Sequence, residues 1–129
     1  GRVALILDTN AVSALLAGDP ALGKMLAGDE RHHLPVIVIG EYRYGLRGSR
    51  FRGHLQSLLE ILIRESFVLR IDEATAEAYS EVRDELRQKG RPIPENDIWI
   101  AALARQHRQT LVSRDGHFDY VPDLRRVDW

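Results

Sequence analysis

Four acidic residues, Asp8, Glu41, Asp97 and Asp115, fall at the margins of apolar or β-branched stretches. Asp8 ends the apolar run Val3-Ala4-Leu5-Ile6-Leu7, with Thr9 and Asn10 beside it. Glu41 follows Leu34-Pro35-Val36-Ile37-Val38-Ile39 by two residues, Asp97 opens the stretch 98–104, and Asp115 follows 110–113. Carboxylates brought into one crevice repel, and protons or cations must neutralise them. An all-oxygen donor set suits hard divalent ions, so Mg2+ or Mn2+ is the expected partner. Such a site activates water and stabilises charge on a transferring phosphoryl group; two ions about 4 Å apart would form a two-metal centre. Each acid also has a purely structural reading. Asp8 suits an Asx-turn, Glu41 balances Arg43, Asp97 suits a helix cap or first turn, and Asp115-Gly116 is ordinary turn chemistry. Taken together, those readings require four coincidences of placement.

The elements that must position these acids alternate along the chain. The run 3–7 reads as a buried strand of the parallel kind, and 34–39 as a second one rich in β-branched residues. Residues 67–71 and 110–113 give two more, and 127–129 a candidate edge strand. Between them the helical stretches are 11–17, with Thr9 or Asn10 as N-cap, and 21–27, closed by Gly28-Asp29. Further on come the amphipathic 54–65, 73–89 between Asp72 and Gly90, and 98–104, apolar nearly all round. The result is an α/β fold, one domain over residues 1–129 with a mainly parallel central β-sheet flanked by α-helices. In such sheets, ligands bind outside the carboxyl ends of the strands, where Asp8 and Asp115 are expected.

Composition narrows the function classes. The 129 residues are 44% hydrophobic and 29% charged, as in an ordinary globular domain. Absence of cysteine excludes disulfides and thiolate metal sites. No apolar run approaches the roughly 18 residues of a membrane span, and no signal peptide is evident, so a cytoplasmic protein is expected. The net charge of −1 gives no bulk attraction to nucleic acid. Locally the balance differs: residues 40–53 carry Arg43, Arg47, Arg50 and Arg52 against Glu41, with Tyr42, Tyr44 and Phe51 interleaved. Arginine with aromatics suits the backbone and bases of single-stranded RNA. The competing reading is a helix that buries Tyr42 and Leu46 and turns its arginines to solvent. His32 and His33 are expected in solvent, and Trp99 and Trp129 in the core or an interface.

Four segments, taken in order, resemble the PIN domain. They are Leu7-Asp8-Thr9-Asn10-Ala11-Val12-Ser13, Ile39-Gly40-Glu41-Tyr42-Arg43-Tyr44-Gly45-Leu46, Asn96-Asp97-Ile98-Trp99-Ile100-Ala101-Ala102, and Leu111-Val112-Ser113-Arg114-Asp115-Gly116-His117-Phe118. Within that family they are most similar to VapC-type toxin ribonucleases. The resemblance implies a Mg2+- or Mn2+-dependent endoribonuclease that leaves 3′-hydroxyl and 5′-phosphate ends. It implies Asp8 and Asp97 as the main ligands, Glu41 binding through water or helping the attacking water, and Asp115 completing the site. Many relatives have Asn at the position of Asp115, and Asp119 is a further candidate acid. Asn10 and Ser113 match positions that orient the acids. His117 is expected to pack or cap locally, because activated water already supplies the nucleophile. The resemblance further implies a homodimer and a cognate antitoxin whose tail enters the groove. A HAD-like phosphatase would want an Asp where Asn10 stands and a downstream Lys, and a receiver domain lacks its paired acid and Lys. A non-catalytic RNA-binding or scaffold PIN domain remains the alternative; loss of an acid would mark it.

Overall fold

The architecture rests on one short central strand. In the computed structural model, which describes residues 4–28 and 32–129, β1 (Leu5–Leu7) runs between two parallel neighbours. These are β2 (His33–Pro35) on one side and β4 (Thr110–Val112) on the other. The outer positions belong to β3 (Phe67–Leu69), beside β2, and β5 (Arg126–Val127), beside β4. The order is β3-β2-β1-β4-β5, parallel throughout. Ile6, Leu7, Leu34, Leu111 and Val112 are fully buried, as expected of parallel strands covered on both faces. Val3 and Asp29, assigned above to a strand and a helix end, lie outside the described residues.

The chain moves outward from β1 through β2 to β3 and then returns to β4 on the far side of β1. Six helices are found among the described residues: α1 (Thr9–Leu16), α2 (Pro20–Leu26), α3 (Val36–Leu46), α4 (Arg52–Arg64), α5 (Glu73–Lys89) and α6 (Glu95–His107). With the right-handed crossovers that are the rule for parallel strands, this order sets α1 to α4 on one face of the sheet and α5 with α6 on the other. The reversal of strand order opens a crevice between the carboxyl ends of β1 and β4, the usual ligand position in such sheets. Register pairs Leu7 with Val112, and the Asp8 N–H donates to the Val112 carbonyl at 3.4 Å. Asp8 and Ser113 are thereby neighbours at the mouth of that crevice.

The alternating order agrees with the sequence, but one element changes type. Residues 36–39, expected as strand, form the first turn of α3, and β2 ends at Pro35. The β-branched run allows either reading, and burial decides it. Val38, Tyr42 and Leu46 recur at four-residue spacing and are all buried, which extends a helical face back through the run. Pro35, in extended conformation, marks the boundary. Glu41 therefore stands in the second turn of a helix rather than just beyond a strand. The N-cap of α1 is Asp8 itself, not Thr9 or Asn10. A 3-10 helix, Gly116–Tyr120, follows β4 and was not expected. By contrast α5 begins at an Asp72–Thr75 capping box and ends at Gly90, with φ of 64°, as the sequence indicates. No described helix is long and apolar enough to cross a membrane.

Candidate active site

Asp8 forms the floor of the crevice and is only 4% exposed. Its Oδ1 accepts the Ala11 N–H at 2.8 Å, capping α1. The fully buried Ser113 hydroxyl bonds to the same carboxylate, and Ser113 Oγ accepts the Asp115 N–H at 3.0 Å. Burial pushes the Asp8 carboxyl above the ordinary aspartate value, and the nearby charges of Asp115 and Glu41 push it further. The bonds from Ser113 and Ala11 oppose that rise. The balance leaves a carboxylate that is costly to ionise without a cation.

Asp97 enters from the first turn of α6, where its charge faces the positive end of the helix dipole. It too is raised, chiefly by burial, with Glu41 and Asp115 adding and His117 opposing. Glu41 reaches the crevice from α3, which packs against α6. Its Oε1 accepts a hydrogen bond from the Thr9 hydroxyl at 2.9 Å. Asp115 caps the 3-10 helix, its Oδ1 accepting the His117 N–H at 3.2 Å.

His117 is the departure from expectation. Its Nδ1 lies 2.7 Å from Asp115 Oδ1 and its Nε2 2.9 Å from Asp97 Oδ2. The imidazole therefore spans two of the acids instead of only packing locally. Asp97, Asp115 and His117 present ligand atoms all within 4.8 Å of one another. Asp8 and Glu41 flank this trio closely enough to influence its charges, and no Arg or Lys ion pair reaches Asp8 or Asp97 among the described residues. Hard oxygen donors with unrelieved negative charge fit a divalent cation.

The remaining sequence candidates divide. Ser113 touches both Asp8 and Asp115, whereas Asn10 is exposed on α1 and lines a cleft of about 290 Å³ with Thr9, Ser13 and Glu41. It is Thr9, not singled out from the sequence, that fixes an acid. Asp119 is held away by Arg126, whose Nε and Nη2 each bond it at 2.9 Å and keep its carboxyl below the ordinary value. Arg126 Nη1 also donates to the Ser113 carbonyl at 3.0 Å, bracing the end of β4.

The four arginines lie on and between α3 and α4. Arg43 is paired with Glu60 at 2.8 Å, Arg47 and Arg52 line a small cleft with Gln56, and the Arg50 guanidinium lies 5.8 Å from the Phe51 ring centre. Tyr42 is buried, yet Tyr44 is 79% exposed and shares an open cleft of about 660 Å³ with Thr9, Glu41 and Asn96. His33 is half-buried in β2 and stacked on Phe67, with ring centres 5.2 Å apart, so the solvent placement expected for it is corrected. Trp99 stacks on Tyr79 at 3.9 Å, and Trp129 packs against the core beneath Arg114.

Comparison with known proteins gives the same outline. Residues 5–124 match the PIN domain. Ribonuclease VapC2 of Rickettsia felis is 31% identical over 107 residues, covering 82% of this chain and 80% of that protein. Toxin FitB of Neisseria gonorrhoeae is 32% identical over 132 residues, covering 93% and 94%. Among solved structures, DNA-bound VapBC from Salmonella typhimurium superposes with a TM-score of 0.90 at 25% identity, covering 99% of each chain.

Proposed function

This chain belongs to the PIN domain family, and from that premise we propose that it is the toxin ribonuclease of a toxin–antitoxin pair, an endonuclease hydrolysing RNA phosphodiester bonds. One observation carries the reading to this molecule. Asp8, Glu41, Asp97 and Asp115 converge on the crevice between β1 and β4, and the two most buried, Asp8 and Asp97, are held above their ordinary pKa by burial and by the charges of Glu41 and Asp115. A fold gains nothing by gathering acids in this way unless a cation joins them.

Asp8 and Asp97 would hold a Mg2+ or Mn2+ ion, with Asp115 completing the acidic set beside it. When bound, such an ion acidifies water and neutralises charge on the scissile phosphate. The protein's own groups do the rest. Ser113 and the Ala11 N–H orient Asp8, while the Thr9 hydroxyl holds Glu41 at the edge where it can take a proton from the attacking water. Asn10 lines the approach. Tyr44 offers an exposed ring for a base beside the acids, and Arg43, Arg47, Arg50 and Arg52 supply the cationic track for the flanking phosphates. The antitoxin partner belongs to the same proposal, supported by kinship with Toxin FitB and VapBC, and a homodimer acting in the cytoplasm is proposed with it.

The test is cleavage of total RNA by the antitoxin-free protein with Mn2+, with Mg2+ and with chelator, beside Asp97→Asn. Metal-dependent cleavage that the variant lacks is expected. Neither cleavage nor metal binding would favour a non-catalytic RNA-binding scaffold.

A further inference from the structure

Building on the metal-dependent reading above, we propose that His117 is itself a ligand of the divalent ion, through Nε2, and that Asp115 acts through His117 rather than on the ion directly. The ring is held for this role from several sides. Asp115 Oδ1 lies 2.7 Å from Nδ1 and also accepts the His117 backbone N–H at 3.2 Å, so one carboxylate fixes both ends of the residue. The neighbouring Phe118 is anchored in the core, with its ring centre 4.8 Å from that of the imidazole. A neutral imidazole carries one N–H and one lone pair. With an ion bound, the Asp115 carboxylate would keep the proton on Nδ1 and free the Nε2 lone pair, which lies 2.9 Å from Asp97 Oδ2. Nε2 and Asp97 Oδ2 are close enough for one ion to take both, in place of the proton that bridges them in its absence. Carboxylate, imidazole and metal in series are a recurrent arrangement in which the outer carboxylate fixes the ring and raises its basicity.

The inference changes what the site selects. Mg2+ takes oxygen ligands and keeps its waters, whereas a nitrogen donor shifts preference toward a transition ion such as Mn2+. It also gives Asp115 a part that does not depend on direct ligation. Asp97 then has two partners in turn: the imidazole in the metal-free protein and the ion it shares with that imidazole when loaded.

Pulsed electron paramagnetic resonance of the Mn2+-loaded protein reads this without reference to activity. We expect nitrogen hyperfine modulation from a directly bound imidazole, absent in both His117→Ala and His117→Gln. Both variants should still bind Mn2+, about tenfold to a hundredfold more weakly, with a smaller loss for Mg2+. Asp115→Asn should weaken Mn2+ binding too, and combining it with His117→Ala should add nothing further. Bound Mn2+ without nitrogen modulation, or modulation that survives in both His117 variants, would overturn the inference while leaving the metal site standing. Failure of the wild-type protein to bind Mn2+ would overturn the metal-dependent reading and this inference together.

Discussion

Asp8 and Asp72 perform the same local task in opposite surroundings. Each caps a helix through Oδ1, Asp8 accepting the Ala11 N–H at 2.8 Å and Asp72 the Thr75 N–H at 2.9 Å. Asp72 stands in solvent, and the Thr75 backbone, the Thr75 hydroxyl and the Gln106 amide hold its carboxyl below the ordinary value. Asp8 is buried among acids and is pushed above it. Capping needs only an acceptor in the right place, and Asp72 shows how that is met at no electrostatic cost. The surroundings of Asp8 serve no capping purpose. On the proposed function, its charge is placed for a cation and for chemistry.

The largest expected contrast is catalytic. Asp8→Asn keeps the cap acceptor and the fold but should lose RNA cleavage entirely, whereas Asp72→Ala should cleave at the wild-type rate. Next comes the support of Asp8. Ser113→Ala removes a hydroxyl that touches both Asp8 and Asp115, and cleavage should fall about tenfold to a hundredfold, as for groups that orient metal ligands.

Stability against pH sharpens the same comparison, with opposite signs. A carboxyl raised in the folded state costs nothing below the ordinary value of 3.8 and destabilises fully once pH passes its folded value. Asp72 and Asp19, both lowered, contribute stability above 3.8 and lose it as pH falls through their folded values. Urea unfolding of the metal-free protein should therefore show Asp8→Asn gaining on wild type as pH rises from about 4 to about 7. Asp72→Asn should instead fall behind as pH rises to about 4, and its deficit should then stay nearly level to about 7. The smallest effect is on the exposed arginines: Arg47→Ala should weaken RNA binding and reduce the salt slope of log K by about one. An unchanged slope would move the phosphate track elsewhere.

The same contrast explains what the sequence disclosed. Where structure follows from neighbours in the chain, it was legible. Asp72 as the cap and Gly90 followed by Pro92 as the stop gave α5 its full extent. The end of β1 at Asp8 was equally plain. Residues 36–39 were misread because a short β-branched run suits a buried strand or a buried helix, and only packing through Val38, Tyr42 and Leu46 decides. The site shows the same limit. Its four acids could be picked out by their places at element margins, but Thr9 meets Glu41 across 32 positions. His117 likewise reaches Asp97 only because β4 runs back along α6 and carries it to the start of that helix. Such contacts leave no local signature in residue spacing.

The most direct test of a cation-directed crevice is urea unfolding of wild type and Asp8→Asn at neutral pH, each with and without Mn2+. With Mn2+ at a hundred times its dissociation constant, wild type should gain about 2.7 kcal/mol. The variant should gain much less, and without the ion it should outlast wild type. An equal gain in both proteins, or a metal-free variant that unfolds before wild type, would contradict the account.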